Sequence, residues 1–253
     1  GDYSFSVAQN NYSLLGNPYP SALDSEAFIT QNAGQFNGIL YIYNSASDNT
    51  HVRGDYTGVY NTIVSGVTVG GGRYLPIGQA FFVTKETAGT GTITFNNSQR
   101  TLTNLGDTGA IFAKNLKGKE TKTSNSNLPV LKIGFEFQLS ETEKRRRQVA
   151  VAFRGLTRDY EKGFDAEMWG KQPTDMYLKV DDKDVPFIIT GVESFNESLE
   201  IPLAVELDAQ RNVTFGIDEK QNIASPVYLF DSLTNSFYDL STNSHTLNLE
   251  QGV

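Results

Sequence analysis

The chain has no cysteine among its 253 residues. That excludes disulfides, thiolate metal sites and cysteine nucleophiles together. At this length one large β domain, or two smaller ones, can bury a core without covalent staples. Histidine is nearly absent as well. His51 and His245 sit in polar settings on different predicted domains, and a histidine-based zinc site needs more ligands on neighbouring elements than this. There is no G-x-S-x-G elbow to support a serine hydrolase. The run Gly70, Gly71, Gly72 lacks the Lys-Ser/Thr of a phosphate loop, and "GTGTIT" misses the third glycine of a dinucleotide fingerprint. Both read as turns. Long hydrophobic runs are missing too: "GILYIY" and "AFFV" are far shorter than the roughly 20 residues of a membrane-spanning helix.

Positive charge is in deficit. The net charge is −8, and residues 114–127 carry four Lys against one Glu, whereas 1–113 and 128–253 are each net acidic. An acidic chain with a single short basic insert offers no continuous phosphate-binding stripe, which argues against nucleic acid as a partner. The sequence opens at Gly1 within strand-like sequence, without a signal peptide, as a segment of a longer protein would.

What the chain does contain is alternation. "SGVTV", "GTITFNN", "LKIGFEFQL", "QVAVAFR", "DMYLKV", "VPFIIT", "LEIPLAVEL", "NVTFGI" and "VYLFD" alternate apolar with polar residues or are β-branched and aromatic. Turn residues separate them every eight to twelve positions, which predicts an all-β sandwich or barrel. Residues 114–127, "KNLKGKETKTSNSN", have no apolar period and the composition of a solvated linker. The expected organisation is therefore two tandem antiparallel β-sandwiches of jelly-roll type, 1–113 and 128–253, with 114–127 between them. One short helix is expected near residues 24–32, with Asp24 as its N-cap and Glu26 in its first turn. Before it, "SLLGNPYPSALD" predicts a preformed corner. Leu14 and Leu15 close a strand in the core, Gly16 and Asn17 turn, and Pro18 and Pro20 hold Tyr19 extended. "KRRR" at 144–147 reads as a solvated hairpin tip.

Candidate chemistry is confined to oxygen and aromatic groups. In "DYEKGFDAE", Asp159, Glu161, Asp165 and Glu167 alternate around Gly163, a pattern that could turn several carboxylates toward one calcium ion. The alternative is a solvated acidic loop anchored to the core by Phe164 and Trp169. The "VDDKDV" segment reads as a hairpin turn. Tyr41, Tyr43, Tyr56, Tyr60 and Tyr74 surround the glycine-rich loop and could form a glycan-binding platform, against the commoner fate of aromatic residues in alternating strands, which is burial. No catalytic residue set and no cofactor other than calcium emerges.

Several stretches carry a resemblance: "YSLLGNPYPSALD", "LPIGQAFFVTK" with "GTITFNNSQRT", "VAVAFRGLTRDYEKGFDAEMWG", and the closing "VYLFDSLTNSFYDLSTNSHTLNLEQG". In this order they resemble the β-rich region that precedes the C-terminal sorting domain of Bacteroidota type IX secretion substrates. The resemblance covers about residues 12–253. It implies a secreted or cell-surface, non-catalytic module that spaces or stabilises an adhesin or surface enzyme, with a sorting domain following beyond Val253. Its partners would be the rest of the parent polypeptide, cell-surface glycans and the secretion machinery. It also makes Ser232, in Asp231-Ser232-Leu233, a candidate for bacterial O-glycosylation. The competing functions are a carbohydrate-binding adhesin module and a polysaccharide-active hydrolase.

Overall fold

A computed structural model describes residues 2–44, 59–101, 127–141 and 143–252. Tyr56, His51 and all of the expected linker except Asn127 lie outside the described residues.

The class is all-β, as the alternation requires. The first part of the chain runs β1 (Tyr3–Val7), β2 (Tyr12–Gly16), β3 (Ala22–Asp24), α1 (Ser25–Gln31), β4 (Ile39–Asn44) and β5 (Val59–Val64). It continues with β6 (Val67–Val69), β7 (Tyr74–Leu75), β8 (Ala80–Thr84), β9 (Gly91–Phe95) and β10 (Arg100–Thr101). The second part runs β11 (Val130–Gln138), β12 (Lys144–Phe153), β13 (Ala166–Glu167), β14 (Asp175–Val180) and β15 (Lys183–Val192). It closes with β16 (Leu203–Glu206), β17 (Arg211–Gln221), β18 (Tyr228–Asp231), β19 (Ser236–Asp239) and β20 (His245–Leu249).

In the first part, β2-β8-β4-β5-β6 form an antiparallel sheet, β10-β3-β7 a smaller one, and β1 pairs with β9. In the second part a large sheet has the order β16-β14-β15-β12-β11-β17-β20, with β13 also on β15, while β18 and β19 form a separate hairpin. Its β12–β15 pair is parallel. Local alternation does not reveal this, because direction is set by the crossover and not by either strand.

Strand β4 shows how the two parts join. Leu40 and Ile42 point into a core made by the first part alone, with Phe28, Phe36, Phe81 and Phe95. Their neighbours Ile39 and Tyr41 point the other way, into the core of the large sheet with Phe135, Val149 and Phe187. β5 repeats the division: Ile63 faces the first core and Val64 the second. Successive strand residues face opposite sides, so a sheet buried on both faces must carry an uninterrupted apolar run. "GILYIY" is that run.

The helix begins where expected. Asp24 Oδ1 accepts from the backbone N–H groups of Glu26 and Ala27 at 3.1 and 3.4 Å, and Arg73 grips the same carboxylate at 2.8 and 2.6 Å. The proline corner is held by Asn17, which is buried. Its amide donates to the carbonyls of Ser21, Leu75 and Pro76 and its Oδ1 accepts from Tyr19 N–H. Leu15 is buried, but Leu14 is 60% exposed, since strand neighbours cannot both face one core. The 144–147 cations are also not a tip. They open β12, where Arg145 pairs with Glu143, Arg146 with Glu136 and Asp218, and Arg147 with Asp175.

Candidate functional site

The segment 157–172 adds a loop to the junction beside the large sheet. Asp165 is fully buried and its two oxygens accept from the backbone N–H groups of Glu161 and Gly191, each at 2.6 Å. Burial pushes its carboxyl up to about 6, against these two bonds, which favour the ionised form. Asp182, from the β14–β15 turn, accepts from Tyr160 N–H at 2.6 Å, so its bond is long-range rather than local. The loop's tip then meets the first part closely: a Cβ on Gly38 would stand 3.4 Å from the Gly163 Cα, and both glycines have φ near +80°. Only glycine combines that conformation with that approach.

Trp169, the chain's single tryptophan, lies at the centre of the junction. Its ring stacks on Tyr41 at 3.8 Å with an interplanar angle of 6°, and meets Tyr12 and Tyr60 edge-on at 5.0 and 5.3 Å. The Tyr41 hydroxyl donates to the Glu167 carbonyl at 3.2 Å. Behind this, Arg147 holds the Gly170 carbonyl at 3.2 Å while its guanidinium grips the buried Asp175 carboxylate at 2.7 and 2.6 Å. Gln172 and Met176 N–H groups complete the Asp175 shell at 2.8 and 2.9 Å. The buried charge pair thus fixes the backbone next to Trp169.

Beside the indole opens a cleft of about 280 Å3, with one wall from β2 and β8 and the other from Tyr160, Glu167 and Trp169. Glu86 projects into it in a set orientation. Tyr160 donates to both of its oxygens at 3.1 and 3.3 Å, Asn37 donates to Oε1, and Asn37 Oδ1 accepts the Glu86 backbone N–H at 2.8 Å. Burial and the Glu86 charge keep the Tyr160 hydroxyl protonated. The Glu167 carboxyl is raised above its ordinary value by burial first and by Glu86 second, with Lys183 opposing. Asn10, Asn11 and Tyr12 form the cleft's outer rim.

The acidic segment therefore packs against the first part of the chain. Among the described residues no group of three or more His, Asp or Glu is placed to hold a metal ion, so Asp159, Glu161, Asp165 and Glu167 are not brought together. Of the five tyrosines, Tyr41, Tyr43 and Tyr60 do gather, with Tyr43 and Tyr60 rings 5.5 Å apart. Tyr41 is buried beneath Trp169. Tyr74 belongs to the β10-β3-β7 sheet, beside Arg73, and Tyr56 lies outside the described residues. Ser232 is exposed in the β18–β19 turn, where Asp231 accepts from Leu233 N–H and the Thr234 hydroxyl. His245 contacts the Asp239 carbonyl at 2.9 Å, a strand-end bond. Sequence reasoning missed Glu86, Asn37 and the Asn10–Tyr12 rim. The one signal available was the single tryptophan at the end of the acidic segment.

Among the described residues no helix is long and apolar enough to cross a membrane. No curated protein and no solved structure gives a match to the chain. A family model described as a domain of unknown function, DUF8693, matches residues 2–253, and the chain belongs to that family.

Proposed function

We infer that this chain is a non-catalytic structural and interaction module of a secreted or cell-surface bacterial protein, of the kind carried by type IX secretion cargo. On this reading a tandem β-sandwich arrangement spaces or stabilises an adhesin or surface enzyme. The observation that carries it is the core shared across β4, β5 and β6, in which Ile39, Tyr41, Val64, Val67 and Val69 pack into the large sheet. Polar contacts reinforce the same surface: Arg154 donates to the Ser65 carbonyl, and the buried Lys132 reaches Thr68 at 3.4 Å and Glu219 at 2.7 Å. A spacer must transmit position between its ends, and a continuous packed interface does so better than a linker alone. The buried Asp165, Asp175 and Arg147 side chains all hold backbone groups.

Glu86 and Glu167 share the cleft, and paired carboxylates are the machinery of glycoside hydrolysis. The test is therefore a panel of polysaccharides and esters, assayed with the purified chain. The scaffold reading expects no turnover above buffer; hydrolysis abolished by Glu86→Gln or Glu167→Gln would contradict it. Antibody labelling of intact cells and of the medium tests the location, and recovery from the cytoplasm alone would contradict export.

A further inference from the structure

We propose that the Tyr12–Trp169 cleft binds a neutral saccharide, an activity beyond the scaffold reading and independent of it. Three features of the cleft point to this ligand class. Its volume of about 280 Å3 lies close to the lower end of the roughly 300–1,000 Å3 typical of small-molecule sites, room for one or two sugar units. Its outer wall is aromatic and open: Tyr12 is 70% exposed, while its ring is fixed edge-on against Trp169. A ring held in this way loses little freedom on stacking against a sugar's C–H face.

Hydrogen-bonding capacity is the third feature. Among the described residues, the exposed side-chain amides of Asn10 and Asn11 and the exposed Glu167 carboxylate make no hydrogen bond within the protein, and all three line the cleft. Glu86 is held by Asn37 and Tyr160, and its Oε2, which accepts only from Tyr160, retains acceptor capacity. Amides and carboxylates that project from fixed backbone beside an aromatic ring match vicinal hydroxyls, each of which donates and accepts. Charge then narrows the class. Glu86 and Glu167 lie near enough for Glu86 to oppose ionisation of Glu167, and Lys85 is turned away toward the Gly34 carbonyl and Thr87. A uronic acid entering here would meet two carboxylates against the Lys183 ammonium, which stands 5.1 Å from the Tyr160 ring centroid and acts on Glu167. Neutral sugars are accepted and acidic sugars refused.

The single tryptophan makes the test direct. The full chain is titrated with neutral hexasaccharides (cellohexaose, xylohexaose, mannohexaose, laminarihexaose and chitohexaose) while Trp169 emission and the heat of binding are followed. At least one should give a saturable change in both. Hexagalacturonate should give none, and neither should tetramethylammonium, the control for a simple cation site of carboxylates and rings. Tyr12→Ala should weaken the responding sugar by about tenfold in calorimetry, with Tyr12→Phe close to wild type, as loss of one aromatic contact implies. Because Tyr12 is exposed, an unchanged melting temperature verifies the fold of both variants.

No saturable binding by any neutral hexasaccharide would overturn the proposal, as would a response to tetramethylammonium alone or binding untouched by Tyr12→Ala. None of these results bears on the shared core. Cleavage of the bound sugar would confirm the site and contradict the non-catalytic scaffold.

Discussion

The two cores differ in how they are enclosed. The first core, around Phe28, draws every member from residues 7–95 and is closed on itself. The second takes most of its members from the large sheet but is completed by Ile39, Tyr41, Val64, Val67 and Val69 of the first part. The five-stranded sheet therefore serves two masters, and its central strands have no solvent face. A closed core can in principle fold with its own sheet. A borrowed one ties the stability of the second part to the presence of the first.

This contrast sets the predicted order of mutational effects. Asp175→Ala should be among the most damaging single changes, about 3–5 kcal/mol, because Arg147 would remain buried, at 6% side-chain exposure, without its partner. Denaturant midpoints measure it. An effect below 1 kcal/mol would mean that the pair is hydrated. Phe28→Ala in the closed core should cost about 3–5 kcal/mol and Ile39→Ala in the shared one about 2–5 kcal/mol. The informative difference is where exchange protection falls: with Phe28→Ala first in β4, β8 and β9, with Ile39→Ala on both sides of the junction. Protection lost only in the first part in both variants would break the comparison.

Smaller effects follow at the edges of the cores. Asp24→Ala removes a helix cap worth about 1 kcal/mol along with a partner of Arg73, and the thermal midpoint should fall accordingly. For Asp165 the direction depends on pH. Its folded pKa, about 6, lies above the ordinary carboxylate value, so the native state holds the proton longer than the unfolded chain. Its contribution is complete below about pH 4 and is lost as pH rises through about 6. Wild type should therefore lose melting temperature relative to Asp165→Asn across that window, over a constant offset for the acceptor that the amide lacks. Parallel profiles would show that Asp165 does not titrate there. Smallest of all, millimolar calcium against chelator should leave the midpoint unchanged, since a ligand of the native state must raise it; a rise would show that the acidic segment gathers an ion.

Much of the architecture was written locally. Period-two alternation located β6, β9, β11, β12 and β14 to β18, and Asp24 and Glu26 marked the helix start. The proline corner was legible as a corner, whereas its lock was not: Asn17 reaches carbonyls 58 and 59 residues away. The same limit applies to the parallel β12–β15 pair, to β10-β3-β7, and to "KRRR", whose charges are absorbed by partners on neighbouring strands. The cleft was illegible for that reason too. Asn37, Glu86 and Tyr160 are ordinary residues in sequence, made distinctive only when the segment around Gly163 docks on Gly38. In the acidic segment Asp165 is buried on backbone N–H groups, while Glu167 stands at the cleft rim.

The shared core is tested most directly by differential scanning calorimetry of the whole chain. The account predicts one transition in which the calorimetric and van't Hoff enthalpies agree, because the second part loses its borrowed core members when the first unfolds, and the first exposes Ile39, Tyr41, Val64, Val67 and Val69 when the second unfolds. Two separated transitions, with the second part melting independently, would contradict it.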